Sequence, residues 1–351
     1  MTIAVRLLKA NHGDCILVSH TSEDKVFNLL IDGGNPATFS HGPRLRYKGE
    51  LRLVLDEMKE KNQSIDLAIL THIDDDHIGG MLRAFETPGY LCDMVKNIWF
   101  NSSKNITDHF NHIEIPANNI PLKCDDPETS IKQGKTLEGL LKKIGCEQSP
   151  IIKVGQTINK GPFKFTILSP SESNLQNLLC VWPHEGESSK TAGTSTDYSL
   201  SFEKIWNTDK FQEDESISNG SSIAFILEAD GKAMLFLGDA HNKTVVESLG
   251  DLKYCKDNKL KLDLIKMSHH GSKHNTSKKL LEMLDVEKYL ISTNGARHGL
   301  PNKITIARIL SLNKNATVLF NYEPIIGKLL LPEEVSCFSK NLHFLQQEIQ
   351  F

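Results

Sequence analysis

Residues 71–77 read Thr-His-Ile-Asp-Asp-Asp-His, and Gly79-Gly80 follow at once. His72, Asp74, Asp76 and His77 therefore fall within six positions, a density of imidazole and carboxylate found nowhere else in the chain. Divalent metal ions take such side chains as ligands and keep an open position for water. Two ions about 3.5–4 Å apart, sharing one bridging carboxylate, can act on both the attacking and the leaving oxygen of a displacement. The chemistry this cluster suggests is hydrolysis.

The elements around the cluster follow from hydrophobic pattern. Residues 65–70 form an apolar run that reads as a buried strand ending in the cluster, and a helix is expected from about Gly80 to Phe85. The same pattern recurs: a strand stops and acidic or imidazole residues follow. Asp32 follows 26–31, Asp239 follows 232–237, and His269-His270 follow 262–267, while His298 lies in the loop after a fifth strand at 288–292. Strand ends on one edge can converge on a site, and Asp239 is the natural bridging carboxylate. Further strands are expected at 3–8, 15–19, 95–100 and 318–322, with hairpins at 156–168 and 222–237. Helices are expected at 49–61, 130–144, 242–249, 277–284 and 304–312. Residues 183–197 read as an exposed loop. Strands followed by strand-helix pairs, given twice, suggest two packed sheets with helices outside.

Composition narrows the class. The 351 residues are 39% hydrophobic and 24% charged, enough for a sizeable core and too ordered a mixture for wholesale disorder. A net charge of -4 supplies no global field for nucleic acid, although a local basic groove is compatible with it. Seven cysteines with no CxxC argue against a disulfide framework or a zinc finger. No leader-like or membrane-length apolar segment stands out, so a cytoplasmic, membrane-free protein is expected.

The motifs His72-x-Asp74-x-Asp76-His77-x-Gly79-Gly80, Leu237-Gly238-Asp239 and His269-His270-Gly271-Ser272 resemble the metallo-β-lactamase superfamily. Gly13-Asp14, Asp32-Gly33-Gly34 and Arg297-His298-Gly299-Leu300-Pro301 are similar to its ComEC-type branch in DNA-uptake proteins, and bacterial phosphorylcholine esterases look similar in the same segments. The resemblance covers roughly 1–100 and 216–322. It implies an α/β fold, a four-layer αββα sandwich forming one domain over 1–351, with 101–215 as an insertion or lid. It also implies two divalent ions. His72, Asp74, His270 and bridging Asp239 would hold one, and Asp76, His77, His298 and Asp239 the other. Asp74 stands where a histidine is usual, which hardens the site and brings manganese in beside zinc. No histidine upstream of Asp239 takes the family's usual third-motif place, so the His269-His270 pair fills it.

The reaction so implied is attack by a metal-bound hydroxide, with Asp76 and His269 in catalytic roles and His269 facing substrate. Ser272 and Lys273 would contact phosphate. Asp32 is expected to orient the metal loop through hydrogen bonds, and Asp14 to sit in a turn beside it. A phosphodiester substrate, nucleic acid foremost, is the leading expectation. A small-molecule hydrolase of phosphorylcholine esterase or lactonase type is an alternative. So is a metal-stabilised module that works without turnover beside a protein partner in a defence system.

Overall fold

A computed structural model describes residues 1–23, 25–111, 128–148, 150–181, 196–346 and 348–351. The expected loop at 183–197 lies mostly outside these residues. The chain is mixed α/β and divides into two compact units. One comprises Met1–Lys153, Ser171–Thr191 and Glu348–Phe351, and the other Val154–Pro170 and Ala192–Gln347.

Among the described residues, the first unit carries a seven-stranded sheet. Its order is Glu348–Gln350, Thr2–Leu7, Ile16–Ser22, Lys25–Ile31, Leu67–Ile69, Asn97–Trp99 and Glu147–Gln148. The N-terminal part is an antiparallel meander with Val5 opposite Val18 and Leu17 opposite Leu30. It becomes parallel at Leu67–Ile69, which is buried throughout, as a strand covered on both faces must be. The crossover into that strand is the helix Glu50–Glu60. Its buried Leu51, Val54, Leu55 and Met58 recur at helical spacing and form one apolar stripe. The helix Glu128–Ile144 buries Leu137 and Leu141 in the same way.

The second unit carries an eight-stranded sheet among the described residues. Its order is Leu342–Phe344, Thr317–Phe320, Lys288–Ile291, Leu264–Lys266, Lys232–Phe236, Ala224–Ala229, Phe163–Ser169 and Thr157–Lys160. The last two form the hairpin expected in the middle of the chain. A second hairpin turns at Asp230-Gly231, both in the left-handed region, as a two-residue turn of this twist requires. Helices Asn242–Asp251, Lys278–Glu282 and Lys303–Leu312 connect the parallel strands. They share a core with the sheet that includes Leu235, Leu249, Ile265, Ile291, Ile306 and Phe320. Phe236 pairs with Lys266, and Lys266 with Leu290, so three neighbouring parallel strands end on one edge. Asp239, His269-His270 and Ser292 follow those ends.

No helix among the described residues is long and apolar enough to cross a membrane.

Candidate metal centre

In the first unit the helix starts within the ligand run rather than after it. The helix spans Asp75–Glu86 with Asp74 at its N-cap, so Asp76 and His77 occupy its first turn. The expected start near Gly80 is five residues late. The two glycines are there for packing. A Cβ on Gly79 would lie 2.5 Å from Pro36 Cδ, and one on Gly80 would lie 2.1 Å from the carbonyl oxygen of Gly33.

The Gly13-Asp14 and Asp32-Gly33-Gly34 segments clamp this helix start. Asp14 donates its backbone N–H to Asp76 (3.1 Å), Gly33 to His77 (2.8 Å), and Gly80 to Gly34 (2.8 Å). A side chain at Gly13 would lie 1.9 Å from the carbonyl oxygen of Asp76, and one at Gly33 would lie 2.2 Å from the Met81 nitrogen. Both turns must be bare for the backbones to meet.

Asp32 uses both carboxylate oxygens. Oδ1 accepts from the Thr71 backbone N–H (2.8 Å), and Oδ2 accepts from the Thr71 hydroxyl (2.8 Å) and from His77 Nδ1 (2.8 Å). With Nδ1 donating to a carboxylate, His77 presents Nε2 as its electron-pair donor, an arrangement typical of metal-binding histidines. Asp32 and His77 are buried, and both lie within 4.8 Å, ligand atom to ligand atom, of buried Asp14. The His72 and His77 ring centroids are 4.1 Å apart, and His72 Nε2 lies 3.5 Å from Asp74 Oδ2.

In the second unit the strand Lys232–Phe236 runs into Gly238, whose positive φ turns the chain and buries Asp239. His269, His270 and Gly271 all lie in the left-handed region. For the two histidines that conformation is uncommon and points to a constrained site. Hydrogen bonds hold it. The His269 N–H donates to Gly238 (3.0 Å), and Asn275 Nδ2 donates to the carbonyls of Asp239 (3.2 Å) and Ala240 (3.3 Å). His270 is buried, and its Nδ1 is 2.9 Å from the Ser292 carbonyl oxygen. A carbonyl can only accept, so Nδ1 carries the proton and Nε2 is again the donor atom, 3.7 Å from Asp239 Oδ2. Two ligands of one ion, each about 2.0–2.2 Å from it, are separated by several ångströms, as these atoms are. The donor set therefore fits divalent metal.

His269 differs from its neighbour. A quarter of its side chain is exposed, and its Nδ1 faces Asp214 (3.4 Å) and Asn275 Oδ1 (3.2 Å). Burial disfavours its charged form, but the carboxylates of Asp239 and Asp214 outweigh burial and raise its pKa. Burial likewise pushes the Asp214 carboxyl up, but its hydrogen bond to His269 and that imidazole's charge hold it below the usual range. Asp214 also accepts from Asn219 (2.8 Å) and Asn275 (2.9 Å).

Ser272 is buried and its hydroxyl accepts from the His274 N–H (3.1 Å). The Lys273 N–H donates to Asn302 (2.9 Å), while its carbonyl, with that of Thr276, accepts from Arg308. Arg308 is buried and forked onto Asp209. His298 lies in an exposed turn with positive φ. Thr71, Asn275 and Ser292 brace candidate ligands or the residues that orient them, and Asp214, Asn219 and Asn275 hold His269; the sequence pattern singles out none of these five as a site residue.

The family model of the metallo-beta-lactamase superfamily matches residues 9–134. The mixed α/β architecture with its two large sheets is consistent with that family's α/β sandwich. No curated protein matches the chain. Solved structures to which the chain shows similarity include the metallo-beta-lactamase fold protein YhfI from Bacillus subtilis, with 12% identity, 99% of each chain covered and a TM-score of 0.42. Zn(2+)-bound PqqB from Methylobacterium extorquens has 11% identity, 100% of this chain and 99% of that chain covered, and a TM-score of 0.40. CmlA, a diiron beta-hydroxylase from Streptomyces venezuelae, has 12% identity and a TM-score of 0.43. There 99% of this chain spans only 54% of the other.

Proposed function

We propose that this chain is a metal-dependent hydrolase of phosphodiester bonds, akin to the ComEC-type branch, with nucleic acid as its substrate. Its candidate ligands are His72, Asp74, Asp76 and His77 in the first unit and Asp239, His270 and His298 in the second. The observation that carries the reading is the way His77 and His270 are held. Each imidazole is buried and donates from Nδ1, one to Asp32 and one to the Ser292 carbonyl, which commits Nε2 to accepting. The match of residues 9–134 to the superfamily supports the same chemistry.

Divalent ions held by these residues, zinc or manganese, would supply Lewis acidity when bound. The chain's own residues do the rest. Asp32 and Ser292 orient the imidazoles. His269, fixed by Asp214 and Asn275, donates a hydrogen bond to a phosphate oxygen, and Ser272 and Lys273 border the same phosphate. The protein works in the cytoplasm, in keeping with thiols at Cys15, Cys92, Cys255 and Cys337.

The test is turnover of bis-p-nitrophenyl phosphate, single- and double-stranded DNA and RNA, with zinc and manganese added separately. Metal-dependent cleavage is expected, and Asp76→Ala should reduce it roughly hundredfold or more together with metal content. No cleavage of any diester with either metal, or a fully active Asp76→Ala protein with unchanged metal, overturns the proposal.

A further inference from the structure

Residues 41–48, His-Gly-Pro-Arg-Leu-Arg-Tyr-Lys, are exposed at every position. They contain Arg44, Arg46 and Lys48 and no acid, in a chain whose net charge is -4. The segment is a small hairpin in which Ser40 pairs with Lys48 and His41 with Tyr47. Lys48 is engaged by Asp56 at 2.8 Å. The guanidinium groups of Arg44 and Arg46 make no ion pair or hydrogen bond among the described residues.

The aromatic residue is arranged beside them. Tyr47 is 58% exposed, yet its ring is seated against the backbone of Gly42, where an added Cβ would lie 2.2 Å from Cδ2. The His41 ring flanks it at 5.5 Å between centroids and 31° between planes. The base of the hairpin is fastened to the ligand-bearing helix. Arg83, in Asp75–Glu86, donates to the carbonyls of Pro36 (3.1 Å) and Ser40 (2.7 Å).

We infer that this hairpin docks a single strand of nucleic acid, with Arg44 and Arg46 on successive phosphates and a base stacked on Tyr47. The inference rests on the phosphodiesterase reading above and gives it a substrate-binding element. Exposed cationic side chains attract a polyanion through counterion release. An exposed, pre-positioned ring supplies the stacking platform that sequence-tolerant single-strand binding uses. An acidic peptide would satisfy the guanidiniums but has no use for the ring, so Tyr47 discriminates between the two.

The experiment measures binding of the full chain to a labelled, non-cleavable phosphorothioate oligonucleotide of about twenty nucleotides across a salt series. The double charge reversal Arg44→Glu with Arg46→Glu should weaken binding about tenfold or more and flatten the log–log salt slope by about 1.4, at roughly 0.7 per lost phosphate contact. Tyr47→Ala should weaken it about five- to hundredfold and leave the slope in place. Turnover of bis-p-nitrophenyl phosphate should be unchanged in both, because the hairpin lies outside the ligand set.

No oligonucleotide binding by the unaltered protein, equal binding by both variants, or tighter binding of duplex or of a poly-glutamate peptide overturns the inference. Small-diester turnover without oligonucleotide binding removes the hairpin reading alone. Binding without turnover under either metal removes the hydrolase reading alone.

Discussion

Asp32 adopts a φ of 57°, a conformation usually left to glycine, because its side chain is needed where it stands. Its two oxygens serve three donors, on Thr71 and His77, and so join the strand end to the first turn of the ligand helix. Asp32→Asn keeps the shape but puts an amide NH₂ on one of those positions. Metal affinity is expected to fall about 10–100-fold, as for other residues that orient ligands, with the fold retained. Equilibrium dialysis against zinc or manganese checks this, and unchanged affinity would remove the orienting role. Asp32 is legible in the sequence because it directly follows a strand, but other orienting residues are not. His72, Asp74, Asp76 and His77 were legible because charge and imidazole crowd into one short run. Asp214, Asn219 and Asn275 were not, because their grip on His269 depends on a network drawn from segments up to 61 residues apart.

At the scale of elements, the helix Asp75–Glu86 shows two effects in opposition. Gly79 and Gly80 lower helix propensity by about 1 kcal/mol each relative to alanine, yet the helix starts at Asp75 and not near Gly80 as the sequence pattern suggests. The contacts of Gly80 with Gly33 and of Gly79 with Pro36 override that preference. Gly80→Ala would gain the propensity term but force a methyl to 2.1 Å from a backbone oxygen. Overpacking of this kind costs about 1–3 kcal/mol or more, so net destabilisation is expected. Gly13→Ala has no helical gain to offset its 1.9 Å collision and should lose more. Urea unfolding of both variants tests the ordering, and a Gly80→Ala protein as stable as the original would contradict it. Elsewhere the pattern served well. The apolar stripe of Glu50–Glu60 and the turn at Asp230-Gly231 were plain in sequence because helical period and left-handed turn residues are local signals.

For the molecule as a whole, metal should act as a folding ligand. If the native state binds an ion and the unfolded chain does not, saturation at a hundred times the dissociation constant adds about 2.7 kcal/mol of stability. Zinc or manganese should therefore raise Tm, a chelator should reverse the rise, and Asp76→Ala should show less of it. Identical melting with and without chelator in the unaltered protein would argue against a bound ion. The alternation of strands and helices that defines the fold class is readable along the chain, but beyond the two hairpins the order of neighbouring strands is not. Glu348–Gln350, with Ile349 its only aliphatic residue, gives no hint of its partner. Yet it pairs with the strand at the other end of the sequence, Gln350 beside Ala4 and Glu348 beside Arg6. That pairing has a consequence for biogenesis. As the ribosome delivers the polypeptide, the outer rim of Thr2–Leu7 stays unzipped until Glu348–Gln350 emerges. Until then the nascent chain exposes an open β-edge, a hazard for aggregation and a natural foothold for a chaperone.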